Sequence, residues 1–343
     1  MTADASSAAT TGRASPPRVA LATSRDWPDL APDDAVLAPA LRRVGIDSEI
    51  AVWTDPTVAW ERFDLILIRS CWDYHDDLPR WLRWIDALQQ RGLGSRLCNP
   101  PEVLRWNARK TYLAELQQLG IPTIPTRWVD AAGLASEESL RAALAASPWE
   151  EIVCKPAVSA GALGTFRFQR SRLMSAPTAF LETYPHLVQR APLLVQPFVP
   201  EIASKGEWSL LFFSGRFSHA VLKRPTAGDF RVQEKHGGTT IRARPSAEVK
   251  ALALSALGAA ARAIGGEKAE PFLYARVDLV ESAAGPLLVE LELIEPALFL
   301  TALPPPSGGT ASPGKNDDNN TDDRDGYRAE DNLVAAIVDR LKR

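Results

Sequence analysis

The sequence predicts an α/β protein, and three patterns carry that prediction. Short apolar runs alternate with helical stretches through residues 17–105, which is typical of a parallel sheet with helices packed on it. After Gly206 the runs come in pairs separated by turns, which is typical of antiparallel hairpins. The last such pair, between Leu273 and Pro296, carries three acids within its apolar runs. We therefore expect a parallel N-terminal domain followed by α+β structure with an acidic site.

Composition excludes several classes of protein. The chain of 343 residues has 39 basic and 42 acidic side chains, so charge gives no case for nucleic acid or an anionic membrane as a partner. Cys71, Cys98 and Cys154 are too widely spaced for a disulfide framework or a zinc site, so the expected location is the reducing cytoplasm. Met1–Pro16 lacks the apolar centre of a signal peptide and is predicted to be a disordered tail.

The first elements place two polar loops at one edge of the predicted parallel sheet. The strand Arg18–Thr23 leads into the loop Ser24–Asp34, and the strand Asp64–Arg69 leads into the loop Ser70–Asp77. Ligands of open α/β sheets bind beyond the carboxyl ends of the strands, so these loops are expected to hold a small polar substrate. Taken singly, each residue is at least as compatible with a structural role, as a capping acid or a packed aromatic ring, as with contact to a ligand. The candidates are Arg25, Asp26, Trp27, Arg69, Trp72, Asp73 and Tyr74.

The middle of the chain contains a candidate phosphate-binding loop. The strand Glu151–Pro156 is followed by the small-residue loop Ala157–Gly164, which includes Ser159 and Gly161. Such a loop lets backbone N–H groups approach phosphates, while Lys155 supplies a point charge. An exposed lysine at a strand end is the other interpretation. The loop is not a Walker motif, and no GxGxxG follows the first strand.

The acidic pair of runs reads as a β-hairpin with a candidate metal site. Side chains alternate along a strand, so Glu290 and Glu292 share a face. Asp278 lies opposite Glu290 on that face if the connecting loop has an odd number of residues. Carboxylates alone suit Mg²⁺ or Mn²⁺ better than zinc. The alternative is a solvated strand face that carries glutamates.

Two cations in the loop region before this hairpin are candidates for catalysis. Lys223 ends a predicted strand, and Arg231 follows in a loop that also contains Gly237 and Gly238. Cations beside a carboxylate cluster make chemical sense when anions such as phosphates arrive. The later stretch Pro304–Asp325 is predicted to be a mobile surface loop, and the chain is expected to close with an amphipathic helix over Ala329–Leu341.

The order of these parts resembles the ATP-grasp superfamily, in its glutathione-synthetase-like branch. The matching segments include Asn107–Lys110, Val153–Pro156, Leu194–Val199 and the acids from Asp278 to Glu292. Arg231 with Gly237 and Gly238 also matches, and Arg69–Tyr74, Trp106–Asn107 and Glu290–Pro296 are most similar to the cyclo-ligases that form D-cycloserine.

The resemblance implies an ATP-grasp fold, in which a parallel α/β pre-ATP-grasp domain over 17–105 precedes two α+β subdomains that clamp ATP. The second part would span 106–343, with a lid over about 120–195. Lys110 and Lys155 are similar by position to the phosphate-binding lysines. Many relatives have Asn where Glu292 stands. Along the nucleotide, the resemblance places Gln196, Phe198 and Val199 beside adenine and Glu201 beside ribose.

The resemblance also implies a carboxylate–amine ligase that uses ATP and Mg²⁺ or Mn²⁺. It would form an acyl phosphate on a small amino-acid-like substrate and join it to an amine, either between molecules or by cyclisation. Small-molecule acid and amine substrates are thus the expected partners, and a homodimer is left open. Two alternatives remain open: a small-molecule kinase, and a regulatory protein that binds ATP without turnover. The four histidines are scattered and show no catalytic or metal-binding spacing.

Overall fold

The computed structural model describes residues 15–183, 192–233, 236–265, 272–302 and 328–343. Within these ranges the chain forms one parallel and two antiparallel sheets. Most of the predicted N-terminal tail and the predicted loop Pro304–Asp325 lie outside the described residues. No helix in the described ranges is long and apolar enough to cross a membrane.

The N-terminal sheet is parallel, as the alternating pattern predicts. Its strand order is β2-β1-β3-β4, and each neighbouring pair is parallel. The strands are β1 (Arg18–Thr23), β2 (Asp47–Val52), β3 (Leu65–Ile68) and β4 (Leu97–Cys98). The helices are α1 (Pro32–Ala35), α2 (Leu37–Arg43) and α3 (Leu78–Gln90).

Helix α3 packs against the N-terminal sheet through one apolar face. Its buried residues Leu78, Trp81, Ile85 and Leu88 recur every three or four positions, so they form one apolar face. Asp77 accepts a hydrogen bond from the Arg80 backbone N–H and caps the helix start. The apolar face completes a core under β1 and β3 that also contains other tryptophan side chains.

The second sheet is antiparallel, with the order β5-β8-β6-β7. Helices α4 (Pro101–Asn107) and α5 (Tyr112–Gln118) precede it. Its strands are β5 (Arg127–Val129), β6 (Glu151–Pro156), β7 (Phe166–Gln169) and β8 (Leu193–Pro197). The helices α6 (Glu137–Ala145), α7 (Arg170–Ser175) and α8 (Pro177–Thr183) accompany it, and their apolar side chains share a core with β6 and β8.

The third sheet has the order β11-β10-β9-β12-β13 and carries the acidic hairpin at one edge. Its strands are β9 (Glu207–Phe213), β10 (Arg216–Arg224), β11 (Thr239–Arg242), β12 (Tyr274–Ser282) and β13 (Gly285–Glu292). The helices are α9 (Pro200–Ser204), α10 (Ala247–Gly265) and α11 (Ala329–Leu341). Leu333 and Ile337 of α11 join the core that contains Leu37 and Leu41 of α2.

The β12–β13 hairpin reaches the predicted register by a route that the sequence does not reveal. Ser282 pairs with Gly285, so the turn holds two residues, an even number. With that turn alone, Asp278 would not oppose Glu290. A bulge between Asp278 and Leu279 inserts one extra residue on β13 and shifts the register, so Asp278 does pair with Glu290.

Candidate active site

Three carboxylates meet on one face of the hairpin. Asp278, Glu290 and Glu292 each place a carboxylate oxygen within 4.8 Å of the others. Asp278 is buried, while the side chains of Glu290 and Glu292 are 22% and 25% exposed. The cluster therefore opens to solvent on the side of the glutamates. Such a set of oxygen donors can hold a hard divalent cation.

Cations compensate the charge of this cluster. The Arg276 guanidinium lies 3.0 Å from Asp278 and also pairs with Glu292. Burial opposes ionisation of Asp278, but the charges of Arg276 and Lys223 prevail and lower its pKa. Burial raises the pKa of Glu292 to about 7, against the attraction of Arg276. Sequence analysis did not assign Arg276, although it lies two residues before Asp278 on the same strand face, which is a usable signal.

Lys110 connects the hairpin to the small-residue loop. Its ammonium lies 2.9 Å from Glu290 Oε1 and donates to the Ser159 carbonyl at 2.7 Å. Against the penalty of burial, Lys110 and Lys155 lower the pKa of Glu290. Within the loop, Gly161 and Gly164 have φ values of +56° and +71°, which glycine adopts without the cost of a Cβ. The loop is thus held close to Lys110 and the acidic face.

Lys155 lies on β6 and, unlike Lys110, has no direct partner for its ammonium among the described residues. Its side chain is 8% exposed, and among the described residues its ammonium has no hydrogen-bond or ion-pair partner. Burial lowers the pKa of Lys155, and Lys110 adds to this effect against the attraction of Glu290. A buried ammonium without a direct partner is costly, so this position suits an arriving anion.

The end of β8 and the residues that follow it contain the side chains expected along the nucleotide. Gln196 is buried and donates to Thr126 Oγ1 at 2.8 Å. The Phe198 ring lies 3.7 Å from the Arg167 guanidinium carbon and contacts Phe230 edge-on. Two further candidates flank the start of α9. Val199 is buried and precedes this helix, and Glu201 accepts a hydrogen bond from the Ala283 N–H in the hairpin turn.

The two candidate catalytic cations differ in their contacts. Lys223 is buried, 2.5 Å from Glu207 and 3.6 Å from Asp278, so it belongs to the charge network of the acidic face. Arg231 instead pairs with Asp229 at 2.8 Å in the loop after β10. Phe230 contacts Phe198, which places this loop beside the expected nucleotide segment rather than against the carboxylates.

Arg69 corrects one prediction. Its side chain is fully buried, donates to Asp34 at 2.9 Å and to the Pro296 carbonyl at 2.5 Å, and lies over the Tyr274 ring. A guanidinium in that position cannot reach a substrate carboxylate. The physical reason is that Asp34, remote in sequence, is buried beside it as its counterion. Arg69 thus fixes the chain after β13 instead.

The other loop candidates lie at different depths. Trp72 donates from its indole N–H to the Glu295 carbonyl at 3.0 Å and packs edge-on against Trp27. Asp73 accepts from the Trp53 indole at 2.7 Å. Tyr74 is buried and lines a cavity against the acidic face, whereas Asp26 is exposed. Trp72 and Tyr74 thus reach the hairpin region.

A small cavity lies at this junction. It brings together Tyr74 from the N-terminal domain, Lys110 and Ser159, and three glutamates from the hairpin and the residues after it. Glu295 is the one of these that sequence analysis did not assign as a site residue. It follows β13 and is 6% exposed.

Side chains also complete the free edge of β13. Asn107 Nδ2 donates to the Leu291 carbonyl at 2.8 Å, and Asn107 Oδ1 accepts from the Leu293 N–H at 2.7 Å. The Tyr112 hydroxyl accepts from the Leu291 N–H at 3.0 Å. An edge strand exposes unpaired backbone groups, and here side chains satisfy them. The acidic face is therefore held rigidly from outside the sheet.

Comparison with known proteins shows relatives across most of the chain. Residues 19–99 match the family model described as the D-cycloserine synthetase DcsG, N-terminal domain. Over 279 residues the chain is 34% identical to the cycloserine biosynthesis protein DcsG of Streptomyces lavendulae, which covers 77% of this chain and 87% of the relative.

Solved structures show the same relationship. The crystal structure of D-cycloserine synthetase DcsG superposes with a TM-score of 0.75 at 28% identity, over 94% of this chain and 99% of the other. A RimK domain ATP-grasp protein from Sphaerobacter thermophilus DSM 20745 gives a TM-score of 0.56 at 19% identity, over 81% and 92% of the two chains. The expected ATP-grasp fold is confirmed.

Proposed function

Since this chain belongs to the ATP-grasp ligase family of D-cycloserine synthetase DcsG, we propose that it is an ATP-dependent carboxylate–amine ligase. The substrate would be a small amino-acid-like molecule, activated as an acyl phosphate and then attacked by an amine. Because the relative is named for cycloserine, an intramolecular attack that closes a ring is the form we favour. The observation that carries the proposal is the group of three carboxylates beside two lysines from separate segments.

Nucleotide binding in this proposal uses both antiparallel sheets. Lys110 and Lys155 would contact the phosphates, because each ammonium lies near Glu290 at the mouth of the acidic face. Backbone N–H groups around Ser159 and Gly161 would add donors to the phosphates. The adenine and ribose would lie along the segment of Gln196, Phe198, Val199 and Glu201.

The metal of the proposal is Mg²⁺, with Mn²⁺ as the alternative. The donor set fits, because Asp278, Glu290 and Glu292 offer only carboxylate oxygens from one strand face. When bound, the ion would neutralise charge on the ATP phosphates during phosphoryl transfer. Asp278 is fixed for this role by the Ser209 hydroxyl, which donates to it at 2.6 Å.

The cationic side chains of the protein would stabilise the remaining negative charge at the site. Arg276 is held beside Asp278 and Glu292 and would offset the charge of these carboxylates next to the phosphates. Lys223 would balance the acidic face from beneath, while Arg231 would approach the phosphates only if its loop moved toward them. Charge stabilisation by fixed groups of this kind is usually the largest contribution to such a reaction.

The test is ADP release from ATP and Mg²⁺ against a panel of amino acids and their ureido and hydroxamate analogues. Hydroxylamine added to the reaction should trap the acyl phosphate as a hydroxamate. A stable phosphorylated product without trapping would indicate a kinase instead. ATP binding without ADP release for any member of the panel would indicate a non-catalytic ATP-binding protein.

A further inference from the structure

Glu295 is a buried acid in the cavity wall to which the proposed function gives no role. This residue lines the cavity between the acidic hairpin and the N-terminal sheet, and it is 6% exposed. The Trp72 indole fixes its backbone carbonyl at 3.0 Å. The position of this residue in the cavity wall is therefore set by the fold.

Glu295 differs from the acids Asp278, Glu290, Glu292 and Glu207 because, among the described residues, no cation forms a direct ion pair with it. Glu290 pairs with Lys110 at 2.9 Å, and Glu207 pairs with Lys223 at 2.5 Å. Arg276 serves both Asp278 and Glu292. Among the described residues, no side chain gives Glu295 a hydrogen bond or an ion pair.

Glu295 accepts a hydrogen bond from its own backbone and is attracted by Arg276 and Lys110 without pairing with either, so part of the cost of burying its carboxylate stays uncompensated. Burial, followed by the charge of Glu292, raises the pKa of Glu295 well above its ordinary value. A ligand that brings a positive charge would relieve this cost. Glu295 is thus built to receive a cationic group.

The cation is better matched by an ammonium group than by a metal ion. Asp278, Glu290 and Glu292 form a compact group of potential metal ligands, and Glu295 is not part of it. Beside Glu295 the cavity is lined by Tyr74, whose hydroxyl can accept a hydrogen bond. An ammonium carries three N–H donors and can use a carboxylate and a hydroxyl at once.

We propose that Glu295 binds the ammonium group of the amino-acid-like substrate, with the Tyr74 hydroxyl as a second acceptor. This assignment rests on the proposed ligase function and specifies its substrate as one that carries a free amine. The acid end of the substrate would then point toward the carboxylate cluster and the metal ion proposed there. Glu295 is a substrate-binding residue in this assignment and takes no part in bond formation.

The test uses two matched rings, D-cycloserine and isoxazolidin-3-one, which lacks the amine. Their binding to the full chain with Mg²⁺ and ADP is measured by calorimetry at about pH 6.5, where a primary amine is mostly protonated. The wild type should prefer D-cycloserine by about 10- to 150-fold, the range for a hydrogen bond to a charged group. Glu295→Gln should reduce the preference to about threefold or less, and Glu295→Asp should restore part of it.

Each other outcome overturns the proposal. Equal or undetectable binding of both rings to the wild type does so, as does a preference that persists in Glu295→Gln. If Glu295→Gln weakens Mg²⁺-dependent ADP binding as much as Glu290→Gln does, Glu295 is a metal ligand instead. Failure of the ligase proposal is separate, because it would appear as absent ADP release across the substrate panel.

Discussion

The acidic hairpin and the loops of the N-terminal sheet differ in how they treat charged side chains. On the hairpin, Glu290 and Glu292 keep about a quarter of their side chains exposed, and their cations come from neighbouring strands and from Lys110. At the end of β3, Arg69 is fully buried against Asp34. The hairpin thus presents its charge to a ligand, whereas this part of the loops uses charge to hold the fold.

This difference has a physical origin. A strand places alternate side chains on one face whatever the rest of the chain does, so its face is a local property. A loop side chain is accessible or buried according to partners that arrive from distant segments. Arg69 is buried because α1 brings Asp34 to it and because the chain after β13 offers the Pro296 carbonyl.

The largest expected effect is a loss of stability when the buried pair of Arg69 and Asp34 in the N-terminal loops is broken. Arg69→Met leaves Asp34 buried without its counterion, so the free energy of unfolding should fall by about 3–5 kcal/mol. Adding Asp34→Asn should recover part of the loss, because it removes the uncompensated charge. Urea denaturation of the single and double variants measures this. A variant of wild-type stability with impaired substrate use would return Arg69 to the substrate site.

The next largest effect concerns the hairpin. Glu290→Gln removes a charge that pairs with Lys110 and a proposed metal ligand, so turnover should fall by about 10²–10³-fold, as for loss of other electrostatic groups in active sites. The free energy of unfolding should change little, because the attraction to Lys110 that is lost and the repulsion from Asp278 and Glu292 that is relieved oppose each other. ADP release and thermal melting measure the two quantities.

Glu248→Gln, on the exposed surface of α10, is the matched control. Near-normal turnover in Glu290→Gln would contradict the metal assignment.

The hairpin and the loops also differ in what the sequence alone could reveal. Strand alternation correctly placed Glu290 and Glu292 on one face, and a parallel sheet was predictable from alternating strands and helices. The pairing of Asp278 with Glu290 was predicted for an odd loop, but it arises from a bulge in a hairpin with a two-residue turn. A bulge depends on how β12 packs against β9 as well as β13, and no local pattern specifies that.

Contacts between distant segments account for the remaining gaps. Asn107 was noticed only as part of a motif, yet its side chain completes the edge of β13, 184 residues further along the chain. Glu295 has no periodic signal, because it lies beyond the end of the strand. Its importance emerges only when Tyr74 and Lys110 are placed around the same cavity.

A third prediction tests whether Lys155 binds the phosphates of ATP. Lys155→Ala should weaken ATP binding by about 1.5–3 kcal/mol, the value for a hydrogen bond to a charged group. Because the ammonium has no direct partner among the described residues, any loss of stability should come only from truncation of the buried aliphatic stem. Calorimetric titration with ATP measures the effect. Lys342→Ala, on a 69% exposed side chain near the chain end, is the control. Equal ATP affinity in both variants would remove Lys155 from the phosphate site.

The smallest expected effect concerns the hydrogen bond that joins the loop after β3 to the residues after the acidic hairpin. The Trp72 indole links the loop after β3 to the Glu295 carbonyl, so Trp72→Phe keeps most of the apolar contact and removes one hydrogen bond. The free energy of unfolding should fall by about 0.5–1.5 kcal/mol.

If the bond also positions Glu295, the KM for the amino-acid-like substrate should rise in Trp72→Phe while ATP affinity stays constant, because Trp72 bonds to Glu295 and not to a residue proposed to bind the nucleotide. Trp208→Phe is the matched control, since it also loses an indole hydrogen bond, to Glu281, away from the cavity. Steady-state kinetics with each substrate varied in turn distinguishes the two variants. Equal KM values would mean that Trp72 stabilises the loop without positioning Glu295, and that the two regions are joined through Arg69 and Tyr274 instead.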